Sequence, residues 1–138
     1  MYYIGIDVGG MSIKAGVTDK NGNVLHKTTI VTKGEYNAQY TISNDIHARI
    51  GKLHDEAGIA ESEIAAVGIG QAGSIDSERG VINYWNNIPM KNVHVTQELK
   101  AWHKMPVFID NDANVAALGE CVFGAAKGMK NMLLVTLG

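Results

Sequence analysis

Cysteine occurs once in the 138 residues, at Cys121. A single thiol excludes an internal disulfide and a cysteine-rich metal centre, and it fits a reducing, cytoplasmic setting. An excess of one charge is also missing: 12 basic residues stand against 14 acidic ones, the formal net charge is −2, and the basic residues are scattered. No tract attracts a nucleic-acid backbone by charge, so nucleic acid is not expected among the partners. Long apolar runs are absent as well. The start, Met1-Tyr2-Tyr3-Ile4-Gly5-Ile6-Asp7, lacks the basic segment and apolar stretch of a secretory leader. No segment reaches the length of a membrane span, and no membrane association is expected.

Histidine is present five times, but His47 and His54 lie seven apart. On a helix that is about two turns, roughly 10 Å along the axis, too far to share one metal. All five read as surface or packing residues. Hydrophobic residues make up 46% and charged residues 19%, the balance of a packed globular domain. A chain of this length buries roughly two-thirds of the surface it exposes when unfolded, enough for one core.

The apolar pattern orders the chain. Tyr3 to Val8 and Ile13 to Asp19 read as strands joined by the Gly9-Gly10 bend, and Asn21-Gly22 leads to a third strand over Val24 to Thr32. Ile42, Ile46, Ile50, Leu53 and Ala57 recur at intervals of three and four, which predicts a helix over Asn37 to Ala57 that Gly58 stops. Ile64 to Gly70 is an unbroken run, as in a strand buried on both faces. Gly73 to Asn83 reads as a small hairpin or excursion. Val95 to Lys104 is a short helix, Pro106 to Asp110 a strand, Asp112 to Phe123 a helix, and Met132 to Leu137 the start of a last strand. This order predicts an α/β fold, with a mixed sheet that opens in an antiparallel meander and carries flanking helices. No internal repeat or low-complexity linker interrupts it.

Three segments can carry chemistry. In Asp7-Val8-Gly9-Gly10-Met11-Ser12-Ile13-Lys14, a bend without side chains lets backbone N–H groups approach a phosphate. Asp7 can hold magnesium through water and Lys14 can pair with phosphate oxygens, although a plain hairpin with Asp7 bonded to its own turn fits equally. In Asp110-Asn111-Asp112-Ala113-Asn114, a strand hands over to a helix. Asp112 there is either a base for a substrate hydroxyl or simply the cap of the helix. In Asn86-Asn87-Ile88-Pro89, two amides precede a fixed bend; they suit adjacent sugar hydroxyls, and they also suit an ordinary loop. Trp85 and Trp102 can stack on a sugar face or pack in the core. Gly68-Ile69-Gly70-Gln71-Ala72-Gly73 has the spacing of a dinucleotide fingerprint, but the strand runs through its first glycines and no helical pattern follows.

In this order the segments resemble the N-terminal domain of the ROK family, which groups bacterial glucokinases and related sugar kinases with sugar-responsive repressors. The resemblance rests on Ile4-Gly5-Ile6-Asp7-Val8-Gly9-Gly10, Gly68-Ile69-Gly70-Gln71-Ala72-Gly73-Ser74-Ile75-Asp76, Asn87-Ile88-Pro89 and Asn111-Asp112-Ala113-Asn114-Val115-Ala116-Ala117-Leu118-Gly119-Glu120. It implies a lobe of the actin-like, ribonuclease-H-like ATPase fold, with a hexose or amino-hexose in the cleft and ATP with Mg2+ as the phosphate source. Asp112 is then the base that deprotonates the attacking hydroxyl. Ala72, Gly73, Asn87 and Asn111 match sugar-contacting positions, and Asp7 to Met11 matches the first phosphate loop.

The sequence departs from the family pattern at Met11, where threonine is usual, and at Ala72, where proline is frequent. The chain stops at Leu133-Leu134-Val135-Thr136-Leu137-Gly138, where the family's second phosphate loop would begin. Its zinc-binding segment, its Glu-x-Gly-His sugar contacts and most of its adenosine site lie beyond. The expectation is an isolated N-terminal lobe, residues 1–138, with no zinc site, inactive alone, and prone to homo-oligomerise through surfaces such as Trp102 or Phe123. The regulator alternative needs a helix-turn-helix before the first strand, which here starts at Tyr2 or Tyr3.

Overall fold

In a computed structural model, which describes residues 1–33, 35–37 and 40–137, the expected meander forms from β1 (Tyr2–Val8), β2 (Ser12–Asp19) and β3 (Val24–Val31). It continues through helix α1 (Ile42–Ala57), a single 3-10 turn at Glu61–Glu63, and β4 (Ile64–Gln71). A small sheet follows, made of β5 (Ser74–Asp76), β6 (Val81–Trp85) and β7 (Met90–Val93). Helix α2 (Val95–Lys100), β8 (Val107–Asn111) and helix α3 (Asp112–Val122) complete the order.

The main sheet runs β3-β2-β1-β4-β8, so β1 sits at its centre. Its pairings with β2 are antiparallel and those of β1 with β4 and of β4 with β8 are parallel, which is the mixed sheet the alternation predicts. Alternation along each strand divides its residues between two faces. Ile4, Ile6, Val8, Ile13, Ala15, Val17, Val67 and Ile69 point into the core, where Ile42, Ile46, Ile50 and Leu53 of α1 and Val95 and Leu99 of α2 cover them. The opposite face carries Gly5, Asp7, Lys14, Gly16, Gly68 and Gly70. It is covered only in part, where α3 crosses β4. A Cβ on Gly70 would lie 2.6 Å from Val115 Cγ2, so the missing side chain is what lets α3 come this close.

Several boundaries differ from the pattern. Helix α1 begins at Ile42, because Thr41 caps it: the Thr41 hydroxyl accepts the Ser43 N–H, and Asn44 Oδ1 accepts the Thr41 N–H at 2.8 Å. Ala38 and Gln39, inside the expected helix, lie outside the described residues. Gly58 ends the helix at φ 66°, in the left-handed region that favours glycine. The excursion after Gly73 is larger than a hairpin, since β7 adds a third strand behind the Asn86–Pro89 bend. Pro106 stays outside β8, as its missing N–H makes it a poor ladder member, although its carbonyl still accepts from Val67 N–H at 2.9 Å. The strand expected over Met132 to Leu137 does not form. Those residues pair with no described strand, and Leu133, Val135 and Leu137 stand exposed. Gly138 lies outside the described residues. Among the described residues no helix is long and apolar enough to cross a membrane.

Candidate active site

The carboxyl ends of β1, β4 and β8 lie side by side, with Val8 opposite Gln71 and Gln71 opposite Asn111. Three chain reversals therefore meet at one edge: the Gly9-Gly10 bend, the Ala72-Gly73 turn and the entry into α3. Open α/β sheets bind ligands at such an edge.

The glycine bend closes through the Gly9 N–H, which donates to Ser12 O at 3.0 Å. Thr32, buried just beyond β3, pins it from below: its hydroxyl donates to Gly9 O at 2.7 Å and its N–H to Met11 O at 3.1 Å. Carbonyl and N–H point opposite ways across a trans peptide, so tying Gly9 O inward turns the Gly10 N–H outward. A Cβ on Gly10 would sit 3.1 Å from Asn87 Nδ2, which makes the bend a close neighbour of the amide loop. Met11 is 84% exposed and brings no hydroxyl to the bend. Thr32 was not among the candidates; β3 already carries His26, Lys27, Thr28 and Thr29, so one more polar residue at its end gives no signal in the sequence.

Asp7 and Lys14 lie opposite each other on the open face, 3.6 Å apart and both exposed. They line a groove of about 600 Å³ together with Gly5, Gly16, Gly70 and Leu118. Asp7 pairs with Gly70 in the sheet, and Asp112 Cα lies 3.5 Å from where a Gly70 Cβ would be. The two carboxylate residues thus flank the same bare stretch of β4.

Asn111 is the N-cap of α3, and its Oδ1 accepts from the N–H groups of Ala113 and Asn114 at 3.0 and 3.4 Å. Asp112 follows inside the first turn, where one oxygen accepts from Ala113 N–H at 2.9 Å. Asp110 braces the corner from the other side, accepting from Asn111 N–H at 2.7 Å and Asn114 Nδ2 at 3.1 Å. The other end of the Asn111 amide donates to Gly73 O at 3.1 Å. Gly73 itself has φ 112°, and a Cβ there would lie 2.6 Å from Tyr84 O, so only glycine fits the turn. The segment with dinucleotide spacing is therefore strand plus turn: Gly68 and Gly70 belong to β4, and β5 follows instead of a helix.

The tryptophans separate. Trp85 is 4% exposed within the core, and Trp102 stacks on His47 away from this edge, ring centroids 4.6 Å apart. His47 Nδ1 lies 2.9 Å from His103 Nε2, whose other nitrogen is 3.1 Å from Glu61 Oε1. Burial, then the neighbouring His103, pushes His47 below its ordinary pKa, with Glu61 pulling the other way. Among the described residues no cluster of three or more His, Cys, Asp or Glu side chains is arranged to hold a metal.

A central mixed sheet, helices on both faces and glycine turns at the strand ends define a lobe of the actin-like ATPase fold. The sequence model of the ROK family matches residues 3–138, and the chain belongs to that family. It is 38% identical over 137 residues to a glucokinase of Streptomyces coelicolor, an alignment that takes in 98% of this chain and 40% of the relative. Among solved structures it is similar to a ROK hexokinase from Thermus thermophilus, with a TM-score of 0.79 at 35% identity, covering 93% of this chain and 41% of the other. It is equally similar to a ROK glucokinase from Streptomyces griseus in complex with glucose and AMPPNP, with a TM-score of 0.79 at 34% identity, covering 93% and 38%. A ROK family transcriptional regulator has a TM-score of 0.76 at 20% identity, covering 88% of this chain and 30% of the other, a likeness of fold alone. The chain spans about two-fifths of the length of the curated relatives it matches.

Proposed function

We propose that residues 1–138 are the N-terminal, sugar-binding lobe of an ATP-dependent hexose kinase, with Asp112 as the base that takes the proton of the attacking hydroxyl. The observation that carries this reading is the division of labour at the head of α3. Asn111 caps the helix, and Asp112 is left half-buried at the strand edge with an oxygen to spare. A carboxylate placed there can accept a hydroxyl proton while Asn111, Asn87 and the Ala72-Gly73 turn hold neighbouring hydroxyls.

The glycine bend suits a phosphate. The Gly10 N–H faces outward, no side chain blocks the approach, and Lys14 and Asp7 stand on the adjoining face. Magnesium, when bound, would neutralise phosphate charge during in-line transfer. Asp7, an exposed carboxylate on the face beside the glycine bend, is a hard oxygen donor that would hold it through water, and Lys14 would then be free to turn to the phosphate oxygens. Half a cleft does not close around ATP, so the lobe alone is expected to bind sugar weakly and turn nothing over. The regulator reading is supported less, because the glucokinases are the more similar relatives.

The test is a substrate panel of hexoses and amino-hexoses with magnesium-ATP on the full-length protein. Turnover of one of them that disappears in Asp112→Ala, with sugar binding retained, supports the reading. Absence of turnover with every sugar overturns it.

A further inference from the structure

Gln71, the last residue of β4, is fully buried, with 0% of its surface exposed. Its amide is only half satisfied: Nε2 donates to the Ala72 carbonyl at 2.9 Å, and Oε1 has no hydrogen-bond partner among the described residues. A half-paired buried amide is a poor stabiliser, and an apolar side chain of the same shape would serve a core at least as well. Its one side-chain hydrogen bond among the described residues holds the Ala72 oxygen.

That hold has a geometric consequence. No peptide bond among the described residues is cis, so the Ala72 C=O and the Gly73 N–H point in opposite directions. With the oxygen drawn down to Gln71, the N–H turns up and out at an exposed residue, and it donates to no described residue. The next carbonyl, Gly73 O, is tied by Asn111 Nδ2 at 3.1 Å. Two side-chain amides that are register neighbours in the sheet thus clamp both carbonyls of the turn. The Ala72 N–H is occupied too, donating to Val8 O at 3.3 Å. Of the four backbone groups of the turn, the Gly73 N–H alone has no partner among the described residues.

We propose that Gln71 is a positioning residue for sugar recognition: through the Ala72 carbonyl it aims the Gly73 N–H at a hydroxyl oxygen of the bound hexose. The inference rests on the sugar-kinase reading above and adds to it a residue outside the sugar-contacting set.

The experiment uses the full-length protein and reads hexose affinity by calorimetry with glucose and the panel sugar that is turned over, KM and kcat, and unfolding temperature. Gln71→Leu puts an apolar side chain of comparable size in its place and removes the donor. It is expected to weaken hexose binding and raise KM about three- to tenfold, the worth of one neutral hydrogen bond, with the unfolding temperature unchanged or higher. Gln71→Glu separates donation from packing: burial pushes its carboxyl above the usual range, and only the protonated acid can donate to Ala72 O. Its affinity should therefore recover as the pH falls, a dependence that wild type lacks. Unchanged affinity in Gln71→Leu, or a loss that tracks a lowered unfolding temperature, overturns the positioning role and leaves the kinase reading standing. A wild-type protein that binds no hexose overturns the kinase reading and this inference with it.

Discussion

Asn111 and Asp112 divide the head of α3 between them. The Asn111 amide oxygen accepts two of the N–H groups that a helix start leaves unpaired, whereas Asp112 shares only the first of them. Neighbours in sequence, they are expected to fail in different ways when replaced.

Asp112→Asn should lower turnover on the accepted hexose by about 10²- to 10⁴-fold, the usual scale for loss of a general base, with sugar affinity and unfolding temperature close to wild type. Asn111→Ala should instead cost about 1 kcal/mol of stability through the lost cap and weaken sugar binding through the released Gly73 carbonyl. Denaturant titration beside a coupled kinase assay checks both. A stable, fully active Asp112→Asn protein would remove the base assignment.

Gly70→Ala tests the packing that places Asp112. The new methyl would meet Val115 Cγ2 at 2.6 Å, and a β-branched side chain has little rotamer freedom with which to yield. We expect a loss of about 1–3 kcal/mol from overpacking and a displaced α3. The fall in kcat should exceed any change in hexose affinity. Urea unfolding and steady-state kinetics give the two numbers.

Stability should decline on mild acidification. His47 has its folded pKa below the ordinary 6.5, mainly through burial, so the unfolded chain takes up its proton first as the pH falls. The contribution is complete above 6.5 and shrinks as the pH drops from there towards the lowered folded value. Glu56, held below its ordinary 4.5 chiefly by the hydrogen bond with His26, adds a second decline from about that pH downward. Unfolding temperatures at pH 8 and pH 5.5 should differ in this sense for wild type. In His47→Phe the difference should narrow.

The open sheet face should drive self-association. Phe108 on β8 and Leu118 on α3 are exposed and line one groove on that side, a patch that water disfavours. Light scattering should show mass rising with concentration, and Phe108→Lys with Leu118→Lys should return it to the monomer value. A concentration-independent monomer in the wild type would overturn this.

Local chemistry made much of the fold legible. Gly9-Gly10, Asn21-Gly22 and Gly58 punctuate strands and a helix where they must, and the unbroken Ile64 to Gly70 run is a strand between β1 and β8, although one face is only partly covered and Gly68 stands exposed instead of buried. What was missed depended on partners far away in sequence. β7 is short and polar at its middle, and it exists by pairing with β6. The Met132 to Leu137 pattern is that of a strand, but pattern alone supplies no neighbour. At the candidate site the residue types were visible, while the supports were not. Thr32 and Gln71 act through carbonyls of other residues, and nothing in their own spacing announces it. The helix cap that the sequence offers at Asp112 falls to its neighbour, Asn111.

The central place of β1 also sets a timetable. The meander needs only the first 31 residues, and its hairpins form between near neighbours, the kind of contact made fastest. β8 has to wait for a crossover of about forty residues before Asn111 reaches Gln71, and only then do the Ala72-Gly73 turn and Asp112 take their places. During synthesis the residues of that frame therefore emerge before those of the candidate edge. On the proposed sugar-kinase reading, chains released before β8 would lack the paired edge, and added hexose would rescue only molecules that have already closed that last pairing.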